Sequence, residues 1–120
     1  MPHVVLIAED DEATLTGLAA CLHGAGYSVI PVLSFDEAHR LMRFARPNVV
    51  VADVRLGRYN GLQLLLQART LDPPPAVIVT TGFEDSVITA EAQRLGATFL
   101  LKPIEPARLL ALIAKMVNPW

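Results

Sequence analysis

The stretch that decides the fold is Val4-Val5-Leu6-Ile7-Ala8-Glu9-Asp10-Asp11. Its five apolar residues predict a strand buried on both faces, and acids follow that strand directly. Similar runs end in Asp53 after Val49–Ala52, in Thr80-Thr81-Gly82 after Val77–Val79, and in Lys102-Pro103 after Phe99–Leu101. Four predicted strands therefore end in residues that can do chemistry.

Short apolar runs alternate with longer amphipathic segments along the whole chain. This alternation is typical of α/β domains with a parallel sheet. We predict strands at 3–8, 27–32, 48–52, 76–80 and 98–101, with helices between them and after the last. Because a parallel sheet gathers the carboxyl ends of its strands at one edge, we expect the acids, hydroxyls and lysine to meet there.

Capping signals support these boundaries. Gly24 and Gly26 are expected to end the first helix, Ser34 and Glu37 form a capping box for the second, and Asn60 is expected to cap the third. The other signals are Asp72-Pro73-Pro74-Pro75 after the third helix, Glu84-Asp85 and Gly96 around the fourth, and Glu105-Pro106 before the fifth.

Composition limits the class of protein. The chain has 120 residues, 52% of them hydrophobic. We therefore expect one domain over residues 1–120, of ordinary size for a single hydrophobic core. A net charge of −2 argues against a nucleic-acid surface, and one cysteine excludes an internal disulfide. The sequence shows neither a secretory signal nor a membrane-length apolar stretch, so we expect no membrane contact and a cytoplasmic location.

The acids Glu9, Asp10 and Asp53 suit a divalent cation. Crowded carboxylates repel one another, and a bound cation relieves that repulsion. Mg²⁺ prefers oxygen ligands and accepts phosphate oxygens alongside a few protein carboxylates. Charge at a helix N-terminus is the simpler explanation for Asp11, but it does not account for Asp53 at a neighbouring strand end.

Asp53, Thr81 and Lys102 form a second predicted group. A strand-end carboxylate can act as a nucleophile and form an acyl phosphate. The Thr81 hydroxyl can bond to a phosphoryl oxygen, and Gly82 beside it leaves room for a close approach. The Lys102 ammonium can pair with a phosphoryl oxygen or, before phosphorylation, with Asp53.

Taken in order and spacing, these residues resemble the response-regulator receiver domain of two-component signalling. The matching text is Ile7–Asp11, Asp53 with Gly61-Leu62 eight residues on, Thr81-Gly82, and Gly96-Ala97 leading to Phe99–Pro103. The resemblance covers the whole chain, and the chain is also similar to the chemotaxis response regulator.

The resemblance implies a fold and a set of roles. The fold is a five-stranded parallel sheet of order 2-1-3-4-5 flanked by five helices, the flavodoxin-like receiver fold. Asp53 would accept a phosphoryl group from a histidine kinase or histidine phosphotransfer protein, with Thr81 and Lys102 binding its oxygens. Mg²⁺ would be held by Glu9, Asp10, Asp53 and the backbone carbonyl of Arg55. Thr81 and Phe99 would form the switch that responds to phosphorylation.

The chain departs from the family pattern at a few positions. Gly57 stands where proline is usual, Phe99 lacks the hydroxyl of the usual tyrosine, and Glu9 stands where aspartate is common. Arg55, two residues after Asp53, is predicted to reach Glu9 or the phosphoryl group and to tune the lifetime of the acyl phosphate.

Other functions compete with the switch. A pseudo-receiver would bind partners without phosphorylation, although the complete set of Asp53, Thr81 and Lys102 argues against it. A haloacid-dehalogenase-type phosphohydrolase needs a second aspartate where Arg55 stands, and a flavodoxin-like cofactor binder needs a phosphate loop where Glu9 and the acids after it stand. We therefore predict a switch that assists its own phosphorylation and dephosphorylation but is not an enzyme on other molecules.

The sequence leaves open which partner or domain receives the signal from the switch. The apolar residues of the last helix extend around more of its circumference than one buried stripe requires, so a dimer through the fourth helix, fifth strand and fifth helix is one expectation. The other expectation is that the last helix only packs against its own domain, with small alanine side chains on its outer side. A separate effector or a fused output domain would carry the signal onward.

Overall fold

The computed structural model describes residues 2–56, 59–82 and 86–118. We number the strands of its main sheet β1 (Val4–Ala8), β2 (Ser28–Val32), β3 (Val49–Asp53), β4 (Ala76–Thr81) and β5 (Thr98–Leu101). The helices are α1 (Glu12–Gly24), α2 (Phe35–Ala45), α3 (Leu62–Ala68), α4 (Ser86–Arg94) and α5 (Pro106–Val117). Every strand of the main sheet lies within one residue of its predicted bounds.

The five main strands are parallel and lie in the order β2-β1-β3-β4-β5, as predicted. The central strand β3 is buried along its whole length, which explains why its sequence is an unbroken apolar run up to Asp53. The pairing register places Asp53 beside Thr80 and Thr81 beside Leu101. These strand ends therefore lie at one edge of the sheet.

The side chains of the sheet alternate between two hydrophobic clusters. On one face, Leu6, Val50 and Val79 pack with residues of α2, α3 and α4. On the other face, Val51 and Ile78 pack with residues of α1 and α5. Two layers of helices thus cover the sheet, one on each face.

Local capping fixes where several helices begin and end. The Asp11 side chain accepts a 3.0 Å bond from the Thr14 backbone N–H at the start of α1, and Ser34 does the same for Glu37 at 3.2 Å at the start of α2. Gly96 follows α4 with φ +89°, a left-handed conformation that favours glycine. The predicted roles of Ser34 and Gly96 are confirmed.

The prediction for the start of α3 is wrong. Gly61, and not Asn60, occupies the N-cap position, and no side chain caps this helix. The physical reason is that residues 59–60 pair antiparallel with Arg55–Leu56 in a short ladder, which the sequence pattern did not indicate. The predicted features at Gly57 and at Glu84-Asp85 lie outside the described residues.

Within the described ranges, the structure contains no helix that is both long enough and apolar enough to cross a membrane.

Candidate phosphoacceptor and metal site

The site is built on the carboxyl ends of four neighbouring strands. Glu9 follows β1, and its backbone N–H bonds to the Val32 carbonyl at 3.1 Å. Asp53 is the last residue of β3, and the Lys102 N–H bonds to the carbonyl of Thr81, the last residue of β4, at 2.7 Å. The sheet itself therefore brings together residues that are up to 93 positions apart.

The predicted acids form one cluster. Carboxylate oxygens of Glu9, Asp10 and Asp53 all lie within 4.8 Å of one another. Glu9 and Asp53 are buried, with 3% and 6% of their surface exposed, whereas Asp10 is exposed. A buried carboxylate needs a compensating partner, because desolvation disfavours its charge.

Lys102 is that partner for two of the acids. Its Nζ donates to Glu9 Oε2 and to Asp53 Oδ2, each at 2.6 Å. The Lys102 side chain is 25% exposed, and those of Glu9 and Asp53 are 4% and 8% exposed. One ammonium thus neutralises one of two buried negative charges, and the exposed Asp10 adds a third acid at the edge.

The protonation equilibria reflect this charge balance. Burial raises the pKa of the Glu9 carboxyl above its ordinary value, and the hydrogen bond from Lys102 opposes that rise. Burial alone would lower the pKa of Lys102, but the hydrogen bonds to Asp53 and Glu9 outweigh it and raise that pKa. Lys102 is therefore an ammonium at neutral pH, and this one cation faces three carboxyl groups, whose crowding a bound metal ion would relieve.

The backbone holds the Asp53 carboxylate in place. The Arg55 N–H donates to Asp53 Oδ1 at 3.0 Å, so both carboxylate oxygens have a donor. Gly61 approaches the same strand end, and its N–H bonds to the Val54 carbonyl at 2.8 Å. A Cβ at Gly61 would lie 2.2 Å from the Asp53 carbonyl oxygen, so only glycine fits at this position.

Of the two predicted switch residues, Thr81 lies on β4, the strand next to that of Asp53, and Phe99 lies on β5, one strand further away. Thr81 is buried with 2% of its surface exposed, and among the described residues a Cβ at Gly82 would meet nothing within 4 Å apart from its chain neighbours. Phe99 on β5 is half-buried and packs against the cluster that contains α4. It also lines a groove of about 450 Å³ with Thr89 and Gln93 of α4.

The donor set fits Mg²⁺. Glu9, Asp10 and Asp53 offer hard oxygen ligands, and three carboxylates are too few to enclose the ion, which leaves positions for water and phosphate oxygens. The acid cluster and the contact of Lys102 with Asp53 agree with the prediction from the strand ends. The bond between Glu9 and Lys102 was not predicted, because only the folded sheet shows how far a side chain at position 9 reaches.

The response regulator receiver domain family matches residues 5–114 of this chain, and the chain therefore belongs to that family. The predicted class of protein is thereby confirmed: it is a response-regulator receiver domain of two-component systems.

Curated relatives agree with this assignment. The chain is 32% identical over 115 residues to the alginate biosynthesis transcriptional regulatory protein AlgB of Pseudomonas aeruginosa, covering 95% of this chain and 26% of that protein. It is 33% identical over 119 residues to the transcriptional regulatory protein FixJ of Bradyrhizobium diazoefficiens, covering 95% of this chain and 56% of that protein. The chain thus spans less than two thirds of either relative.

Solved structures share the fold. A CheY-like response regulator receiver domain protein from Methanospirillum hungatei matches with a TM-score of 0.88 at 26% identity, covering 99% of this chain and 96% of that one. The beryllofluoride-activated NtrC4 receiver domain dimer matches with a TM-score of 0.88 at 27% identity, covering 97% of each chain. The flavodoxin-like receiver fold is therefore confirmed.

Proposed function

We propose that residues 1–120 form one receiver domain that acts as a phosphorylation-activated switch, with Asp53 as the phosphoacceptor. The observation that carries this proposal is the position of Asp53. It is a buried carboxylate at the end of the central strand, bonded to Lys102 at 2.6 Å and clustered with Glu9 and Asp10. A carboxylate that can act as a nucleophile, an ammonium and further acids that can hold a divalent cation thus lie together at one strand end.

The proposed reaction is the transfer of a phosphoryl group to Asp53. A carboxylate oxygen attacks phosphorus, the bond from phosphorus to the donor's imidazole nitrogen breaks, and that nitrogen keeps the electron pair. The product is an acyl phosphate whose oxygens Lys102 and Thr81 bind. Mg²⁺, held by Glu9, Asp10, Asp53 and the Arg55 backbone carbonyl, would supply neutralising charge to the phosphoryl oxygens.

We propose a histidine kinase or a histidine phosphotransfer protein as the donor, and a cytoplasmic location for the relay. AlgB and FixJ are transcriptional regulators that are longer than this chain, which supports a fused output domain or a separate effector as the receiver of the signal. The net charge of −2 argues against nucleic-acid binding by this domain itself. The chain acts as a phosphoryl acceptor and not as an enzyme on other molecules.

Switching is proposed to run through Thr81 and Phe99. The added phosphoryl oxygens would draw the Thr81 hydroxyl toward Asp53, and the vacated space would let Phe99 turn inward from its half-buried position. Because Phe99 lines the groove beside α4, its movement would change the surface formed by α4 and β5.

The intact mass of the protein after incubation with acetyl phosphate tests the function. We expect one phosphoryl adduct in the presence of Mg²⁺ and none after chelation, because three carboxylates and one ammonium leave excess negative charge that opposes an incoming phosphate. A folded protein that binds Mg²⁺ but gains no adduct from acetyl phosphate or from a phosphorylated histidine donor would favour the pseudo-receiver. Phosphate release from added phosphoesters would favour the phosphohydrolase.

Arg55→Ala is expected to shorten the lifetime of the acyl phosphate. The Arg55 side chain is exposed two residues after Asp53, where its charge can shield the phosphoryl group from water. The expected change in the dephosphorylation rate is about two- to fivefold, the range of an exposed ion pair. Loss of the adduct over time, followed by intact mass, measures that rate. Arg40→Ala is the control, because Arg40 is exposed on α2. If Arg55→Ala lost its phosphoryl group at the parental rate, the proposed role of Arg55 would be contradicted.

Phosphorylation is also expected to favour a dimer through α4, β5 and α5. Val87 and Leu101 on this face are 76% and 41% exposed, and the matching NtrC4 receiver was solved as an activated dimer. The exposed positions of α5 include the small side chains of Ala107, Ala111 and Ala114, together with the charged side chains of Arg108 and Lys115. Light scattering of the phosphorylated and unphosphorylated protein should show twice the mass in the first state. A monomer in both states at all concentrations would contradict the dimer.

A further inference from the structure

The contact between Glu9 and Lys102 is not part of the proposed phosphoryl transfer. Lys102 Nζ lies 2.6 Å from Glu9 Oε2 and 2.6 Å from Asp53 Oδ2, so two acids on different strands share one ammonium. The other Glu9 oxygen, Oε1, accepts the Asp11 backbone N–H at 3.0 Å. Both oxygens of the Glu9 carboxylate are therefore bonded to donors of the protein itself.

The length of the side chain at position 9 decides whether this contact can form. Aspartate lacks one methylene of glutamate and is shorter by one carbon–carbon bond, about 1.5 Å. On the same backbone, an aspartate at position 9 would lose its short bond to Lys102, while it would remain beside Asp10 and Asp53. Lys102, which is 25% exposed, would then have only Asp53 to hold it in the site.

We propose that Glu9 is a positioning residue that holds Lys102 over Asp53 in the metal-free protein, so that Mg²⁺ has to break the Glu9–Lys102 ion pair to bind. This inference rests on the proposed Mg²⁺ site. Glu9 therefore has two alternative partners, and the lysine acts as a built-in competitor of the metal. The competition lowers the affinity for Mg²⁺ relative to a receiver with aspartate at this position.

Electrostatics gives the direction of the effect. A lysine held between two buried acids neutralises one of their charges and repels a divalent cation from the same place. Removing the ammonium should therefore tighten Mg²⁺ binding. The gain should be larger when Glu9 is present, because Glu9 is what keeps the ammonium in the site.

Four proteins test the proposal: the parent, Glu9→Asp, Lys102→Met and the double variant, each titrated with Mg²⁺ and followed by backbone amide NMR shifts. We expect Lys102→Met to tighten Mg²⁺ binding about tenfold with Glu9 present and about threefold or less with aspartate there, since contacting residues couple by such factors. Glu9→Asp alone should tighten binding about threefold. The same tightening by Lys102→Met in both backgrounds would overturn the proposal.

A second measurement avoids the lysine substitution, which leaves two buried acids without a cation. In chelator, the Lys102 ammonium of the parent should give a slowly exchanging side-chain NMR signal, and Glu9→Asp should lose it. An unchanged signal in Glu9→Asp would overturn the role of Glu9. If none of the proteins, the parent included, binds Mg²⁺, the proposed metal site itself fails. If Mg²⁺ binds, but Lys102→Met raises its affinity by the same factor with glutamate or aspartate at position 9, only the Glu9–Lys102 pairing is contradicted.

Discussion

Gly61→Ala is expected to destabilise the protein by about 2–3 kcal/mol, the range in which an added carbon in a close-packed site forces the backbone to move. The new Cβ would lie 2.2 Å from the Asp53 carbonyl oxygen, 2.9 Å from its carbonyl carbon and 3.2 Å from the Val54 Cα. All three of these atoms belong to the backbone, so no side-chain rotation can relieve the clash.

Urea unfolding of the parent and the variant measures this change. Gly17→Ala is the matched control, because Gly17 lies inside α1 and its added Cβ would meet nothing within 4 Å. That control should stabilise the protein by about 0.5–1 kcal/mol, the advantage of alanine over glycine within a helix. Equal stability of Gly61→Ala and the parent would show that the segment after Asp53 can yield, and would contradict the close approach.

Asp53→Asn is expected to abolish the phosphoryl adduct. An amide keeps the shape of the side chain, but it lacks the carboxylate oxygen that attacks phosphorus. The fold should persist, because Lys102 keeps its 2.6 Å bond to Glu9 when one of its two acids is removed. The predicted effect is therefore on chemistry and not on stability, and the urea midpoint should confirm this.

The control for Asp53→Asn is Asp36→Asn. Asp36 is an exposed acid in the first turn of α2 and belongs neither to the acid cluster nor to the ion pairs of Lys102, so its loss removes a charge of the same kind without removing a group of the site. We expect the control to gain the adduct at the parental rate, as measured by intact mass. An adduct of parental yield on Asp53→Asn would mean that another side chain accepts the phosphoryl group.

Much of the fold could be predicted because hydrophobic patterning is a local signal. A strand buried on both faces must be apolar throughout, as β3 is, and its first polar residue marks the edge of the sheet, as Asp53 does. The cap at Ser34 could be predicted for the same reason, since its hydrogen bond spans only three residues. Parallel topology then brought the strand ends of Glu9, Asp53, Thr81 and Lys102 to one edge.

The features that could not be predicted depend on contacts between distant segments. Glu9 and Lys102 are 93 residues apart, and their bond depends on side-chain reach across the sheet. The approach of Gly61 to the Asp53 carbonyl depends on the path of the intervening segment, which includes the short ladder that displaced Asn60 from the predicted cap. In the sequence, Gly61 was notable only as part of the family resemblance. The structure shows a steric reason for glycine at this position.

The most direct test of the account locates the phosphoryl group on the chain. Protein treated with acetyl phosphate and Mg²⁺ is reduced with borohydride, which converts an aspartyl phosphate to homoserine, and is then digested with trypsin. Residues 44–55 form a peptide in which Asp53 is the single carboxylate side chain, whereas Glu9 and Asp10 fall in the peptide before Arg40. We predict homoserine at position 53. Homoserine or its glutamyl counterpart in the N-terminal peptide, with Asp53 unmodified, would contradict the account.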